Sequence, residues 1–144
     1  SGLLLYPTLY LSDYFEKKRR EYFDHLSSVR STGDMHQWLV FFLSAVIETC
    51  ELGCRTFNSI LNLWNEVNTD LLPMGTKAKN ASSLFSHLFQ NPVLSLTNDT
   101  TLPDMSNKTL KRLVAEFEEK KYLEETTGQG RNKCFVFKRY LNLF

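Results

Sequence analysis

From Met35 to Leu72 the chain contains no proline and a single glycine, Gly53, and its apolar residues recur at helical spacing. Phe57, Ile60, Leu61, Trp64, Val67 and Leu71 keep that period in the second half. The first half, over residues 38–47, is apolar nearly all round. This stretch predicts one long helix and, with its helical neighbours, a mainly α fold. The apolar run is too short to span a bilayer, which takes about 20 residues, so a core helix and no membrane contact are expected. Gly53 is the expected point of any kink or break.

Residues 3–11 are apolar, are interrupted by Pro7, and read as an extended lead-in. Ser12 or Asp13 is placed to cap a helix over 13–31, since a short side-chain oxygen accepts a free backbone N–H. Tyr14, Phe15, Tyr22, Phe23, Leu26 and Val29 form its apolar stripe, and Lys17, Lys18, Arg20, Glu21 and Asp24 its outer face. Gly33 is the expected stop and Asp34 the cap of the next helix.

Charge divides the chain. Residues 1–76 hold six Lys/Arg and nine Asp/Glu, a net of −3, whereas residues 77–144 hold eleven and seven, a net of +4. With the breaker sequence at 73–76, this predicts a helical segment over 1–76 and a separate domain over 77–144. Three cysteines, an odd and low count, suit a reducing compartment, and a cytoplasmic location is expected. Cys50 and Cys54 have no histidine near them, so they are expected to be packed thiols rather than metal ligands.

In the second unit, a helix over 79–90 presents Leu84, Phe85, Leu88 and Phe89, and Asn91-Pro92 closes it before a short strand over 93–96. Residues 97–105 are polar and weakly helical. Ser106 opens a helix to about Lys121 that buries Leu110, Leu113, Val114 and Phe117, leaving Lys108, Arg112, Ala115 and Glu119 on the opposite face. A hairpin over 122–140 follows, turning at Gly128-Gln129-Gly130, with Phe135 and Phe137 inward and Val136 and Lys138 outward, or in the reverse register. A basic helix leading into a hairpin with a basic tip is the arrangement of a winged helix, an α+β domain. In that arrangement Asn107 is the candidate for a base edge, Lys108, Lys111 and Arg112 for phosphates, and Arg131 and Lys133 for the flanking backbone. The same charges also fit a solvated helix or a protein contact. Asp99 and Pro103 interrupt the segment where the first helix of a helix-turn-helix belongs.

Nothing in the chain forms a complete catalytic set. His25, His36 and His87 are scattered, the glycines are isolated or explained by the hairpin turn, and there is no Gly-x-Ser-x-Gly elbow. Taken alone, the chain is not expected to be an enzyme, and neither a cofactor nor a metal is expected in it.

The run Leu9-Tyr10-Leu11-Ser12-Asp13-Tyr14-Phe15-Glu16-Lys17-Lys18-Arg19-Arg20-Glu21-Tyr22-Phe23-Asp24-His25-Leu26, with Val29-Arg30, Gly33-Asp34, Trp38 and Phe41-Phe42-Leu43 after it, closely resembles the stretch beyond the catalytic loop of Fic (filamentation induced by cAMP) family proteins. Residues 78–144 resemble the winged helix that many bacterial Fic proteins carry at their C-terminus. The matching residues there are Phe89, Asn91-Pro92-Val93, Leu123-Glu124-Glu125, Thr127-Gly128, Arg131-Asn132-Lys133, Phe135-Val136 and Tyr140-Leu141. Lys18 and Phe23 depart from the residues usual in the family, Asn and Tyr.

The resemblance implies a parent that is a protein AMP-transferase, using ATP and a divalent metal to move AMP onto a hydroxyl side chain of a target protein. The chain holds neither the catalytic His-Pro-Phe nor the Gly-Asn-Gly-Arg loop of that family, so it is expected to be the non-catalytic C-terminal part. The alternative is a free-standing winged-helix transcription regulator with a helical dimerisation domain. Helices 13–31 and 35–72 carry apolar surface on more than one face, which in the parent would pack against the catalytic helices. In this chain a homo-oligomer is expected, with Phe41, Phe42, Val46 and Phe57 as contact candidates.

Overall fold

A computed structural model describes residues 11–97, 102, 105–128 and 132–144. The fold is mainly helical with one small antiparallel sheet. In chain order the elements are α1 (Leu11–Lys17), α2 (Arg19–Thr32), α3 (His36–Leu71), a 3-10 turn (Leu72–Lys77), α4 (Ala78–Gln90), β1 (Val93–Leu96), α5 (Asn107–Glu119), β2 (Glu124–Glu125), β3 (Lys133–Val136) and α6 (Lys138–Leu141). Packing divides the chain into two compact units, one up to Asn58 and one from Ser59. The expected lead-in up to Tyr10, Arg131 and most of 98–104 lie outside the described residues.

In the first unit the single helix expected over 13–31 is two. Lys18 leaves helical geometry (φ −107°, ψ 34°). The hydrogen bonds across it survive: Lys18 N–H reaches the Tyr14 carbonyl and Tyr22 N–H reaches that of Lys18, both at 3.0 Å. No glycine or proline marks this break. The Lys18 ammonium donates to the Tyr14 hydroxyl at 2.8 Å and lies 3.7 Å from Glu48, so side-chain contacts hold the bend. Gly33 ends α2 as expected, in the left-handed region (φ 76°) that glycine enters without a Cβ clash, with its N–H on the Val29 carbonyl. The Asp34 carboxylate accepts from His36 N–H at 2.8 Å and caps α3.

Aromatic rings fill the space between these helices. Phe15 contacts Tyr22, Trp38, Phe41 and Phe42, and the Phe41 ring stands 4.9 Å from His25. Phe41, expected on a self-association surface, is therefore enclosed within its own unit, because it faces the rings of α1. Phe42 and Val46 are half-buried, while Phe57 is exposed. Among the described residues of this unit only Phe41 and Ala45 are buried. Helix α3 passes Gly53 unbroken, and a Cβ there would meet nothing within 4 Å. By length and composition the helical stretch His36–Gln90 contains a window able to cross a membrane, a test that core helices of soluble proteins also pass.

The second unit has the larger core. Leu63, Val67 and Leu71 at the end of α3 pack with Ala81, Leu84, Phe85 and Leu88 of α4 and with Leu110, Leu113, Val114 and Phe117 of α5. The division expected at 76/77 thus falls inside this unit, since the last turns of α3 share its core. Gly75 makes the turn into α4 at φ 57°. Strand β3 is central: it pairs with β1 (Val93↔Val136 to Leu96↔Lys133) and with β2 (Glu124↔Val136, Glu125↔Phe135), giving the order β1-β3-β2. Phe135 and Phe137 are buried, which selects one of the two registers that the alternation allows. The hairpin is shorter than 122–140, because the chain turns into α6 at Lys138.

Candidate nucleic-acid interface

Helix α5 is positioned by its apolar stripe. Leu110, Leu113, Val114 and Phe117 are essentially inaccessible, and the Phe117 ring lies 4.3 Å from that of Phe85. Ser106 fixes the start: its hydroxyl accepts from Thr109 N–H at 3.3 Å. The end is fixed at Lys121, which adopts φ 61° while Tyr122 and Leu123 N–H groups both turn back to the Phe117 carbonyl.

With the stripe inward, Lys108, Lys111, Arg112 and Ala115 are exposed. Among the described residues none of the three cations has a carboxylate partner. They occupy the N-terminal half of the helix, where free backbone N–H groups add positive potential. Glu118 and Glu119 are exposed at the other end. Asn107 is half-buried and engaged within the protein, so its side chain is not simply presented to solvent.

Four cations elsewhere in the unit are paired with carboxylates, whereas the exposed Lys79, Lys120 and Lys121 have no ion pair among the described residues. Lys133 reaches Glu125 Oε2 at 2.7 Å across the hairpin, and that hydrogen bond raises the Lys133 pKa. Lys138 pairs with Glu124 at 2.9 Å and Lys77 with Glu116 at 2.6 Å. Arg139 makes two 2.8 Å hydrogen bonds to Glu66. Of the six residues expected at the interface, Lys108, Lys111 and Arg112 are thus exposed together with no carboxylate partner among the described residues. Lys133 is on the hairpin but paired, and Arg131 is outside the described residues. Glu125 pairs with Phe135, so Lys133 sits diagonally from it on the same face, a contact that follows from the strand register.

Tyr122 was not singled out by its sequence. It is buried, its hydroxyl donates to Asp70 Oδ2, and the Arg139 guanidinium lies 5.7 Å from its ring. Burial first, then the Asp70 hydrogen bond, push the phenol pKa upward. This network joins the end of α3 to α6 through Tyr122, in the segment after α5. A depression of about 240 Å³ lined by Ser59, Asn62, Glu66 and Arg139 has its two charges already satisfied by each other. Among the described residues no group of His, Cys, Asp and Glu is clustered to hold a metal ion. Neither the models of known protein families nor the curated proteins give a match to this chain.

Proposed function

We propose that this chain is a non-catalytic, DNA-binding part of a Fic-family protein AMP-transferase, with its C-terminal unit a winged helix. The observation that carries the DNA reading is the cluster Lys108, Lys111 and Arg112, exposed on one face of α5 with no carboxylate partner among the described residues. A helix whose N-terminal half holds free cations meets phosphate with both its side chains and its dipole. The order of elements α4, β1, α5, β2 and β3, with β3 central, supports the winged-helix reading. The resemblance of residues 9–43 to the Fic stretch beyond the catalytic loop supports the parentage. In that reading AMP transfer, ATP and the metal belong to the parent's loop and to no residue of this chain.

The test is the salt dependence of duplex DNA binding. Retention should fall steeply with salt, and Lys108→Ala or Arg112→Ala should each flatten the slope of log K against log [salt] by about 0.9. No salt-sensitive retention rejects the DNA reading in favour of docking on a target protein. A coding sequence with no Gly-Asn-Gly-Arg loop before Ser1 rejects the Fic parentage in favour of a free-standing regulator.

A further inference from the structure

Helix α3 carries a second apolar face that the described residues of the first unit leave exposed. Trp38, Phe41, Phe42 and Ala45 face the rings of α1 and α2 or are buried. On the opposite side stand Val40, Leu43, Ile47, Cys50, Cys54 and Phe57, all exposed. Their spacing alternates three and four residues without a slip, and the same step next reaches Leu61. The four apolar members each keep 52–58% of their surface open.

We propose that two copies of this chain pair in parallel through this face of α3. The alternating spacing is that of a coiled-coil seam, in which each side chain inserts between four of an identical helix. Val40, Ile47 and Cys54 take one core position and Leu43, Cys50 and Phe57 the other. β-Branched residues at the first with leucine at the second favour two parallel strands. The flanking positions are Leu39, Ser44, Val46, Glu51, Gly53 and Asn58. Glu51 is the single charge among them, so in a parallel pair no like charges oppose one another across the seam.

The size also fits. With Leu39, the seam exposes on the order of 500 Å² of apolar surface per chain, so a symmetric pair buries about 1,000 Å², the lower bound for a specific interface. The first unit has reason to recruit such a partner, since Phe41 and Ala45 are the only buried residues described in it. The proposal does not rest on DNA binding, and it competes with the Fic reading for this face, because catalytic helices of a parent packed there would exclude a second copy.

Light scattering on the full chain should give twice the monomer mass. Leu43→Asp with Ile47→Asp should return a monomer of unchanged helix content, because both positions are exposed within the fold. Leu52→Asp, equally exposed but off the seam, should leave the dimer intact. Orientation is read with a short bis-maleimide on a Cys134→Ser background. Cys50 alone, after Cys54→Ala, should cross-link in the parallel pair because it faces its own twin. Crosslinking that needs both thiols overturns the proposal, as does a monomer at every concentration or a dimer that survives the double aspartate variant. A longer chain that begins before Ser1, is monomeric and shields both thiols also overturns it, because the face is then covered from within.

Discussion

The Arg139 guanidinium holds the Glu66 carboxylate through two parallel hydrogen bonds, each 2.8 Å, between α6 and the end of α3. Both side chains remain nearly half exposed, so solvent screens the pair and its contribution is about 0.5 kcal/mol. The Arg139 hydrogen bond keeps the Glu66 pKa below its ordinary 4.5. The pair therefore stabilises fully above that value and its contribution is lost as pH falls through the folded pKa. Urea unfolding should show Glu66→Gln less stable than the natural chain at pH 7, and the two should converge in acid, once pH falls below the folded pKa of Glu66. A difference that persists in acid would mean that Glu66 acts through packing and not charge.

Lys121 closes α5 in the left-handed region at φ 61°, a conformation that costs an L-residue with a Cβ roughly 1 kcal/mol. Glycine enters that region freely. Lys121→Gly should raise the unfolding free energy by about 0.5–1 kcal/mol, offset in part by the looser unfolded chain. A fall in the denaturation midpoint would show that the lysine side chain contributes more than its backbone costs.

Phe117 is the hub of the second core. Its ring touches Phe85 at 4.3 Å and Tyr122 at 6.3 Å, and its carbonyl accepts the two N–H groups that end α5. Phe117→Ala leaves a void among rigid rings and should cost about 3–5 kcal/mol. Calorimetry should show the main transition shifted sharply downward. Leu72→Ala, at a largely exposed side chain outside the proposed seam, should leave that transition in place.

Gly53 sits inside α3 with open space where a Cβ would stand. Gly53→Ala removes backbone freedom from the unfolded chain without a clash and should stabilise by about 0.5–1 kcal/mol, read as a higher denaturant midpoint.

The same glycine shows where sequence reading stopped. A lone glycine reads as a break, but α3 continues through it as one helix. Conversely, the bend at Lys18 has no glycine or proline to announce it and depends on contacts with Tyr14 and Glu48, the latter remote in sequence. The stripe Leu110, Leu113, Val114 and Phe117 was legible because a 3.6-residue period maps directly onto one buried face, and Gly33 and Asp34 because caps are local chemistry. Leu63, Val67 and Leu71 have the period too, yet periodicity does not say which core a face joins, which is why the expected division fell at 76/77. The free cations of α5 were legible as a face. That Lys133 is neutralised depends on strand register, which no local pattern specifies.

That register yields the sharpest discrimination on the candidate interface. Lys133 and Lys111 carry the same formal charge, but Lys133 is held 2.7 Å from Glu125 and Lys111 has no such partner among the described residues. If α5 meets DNA as proposed, Lys111→Ala should flatten the salt slope by about 0.9, the release of one phosphate's counterion. Lys133→Ala should alter it far less, because the ion pair must first be broken for that ammonium to reach a phosphate. Glu125→Gln should then free the Lys133 charge and steepen the slope. Fluorescence anisotropy across a salt series reads all three variants against the natural chain. Equal losses for Lys111→Ala and Lys133→Ala, with no gain from Glu125→Gln, would place the hairpin and the helix on the same footing and remove the distinction drawn between free and paired cations.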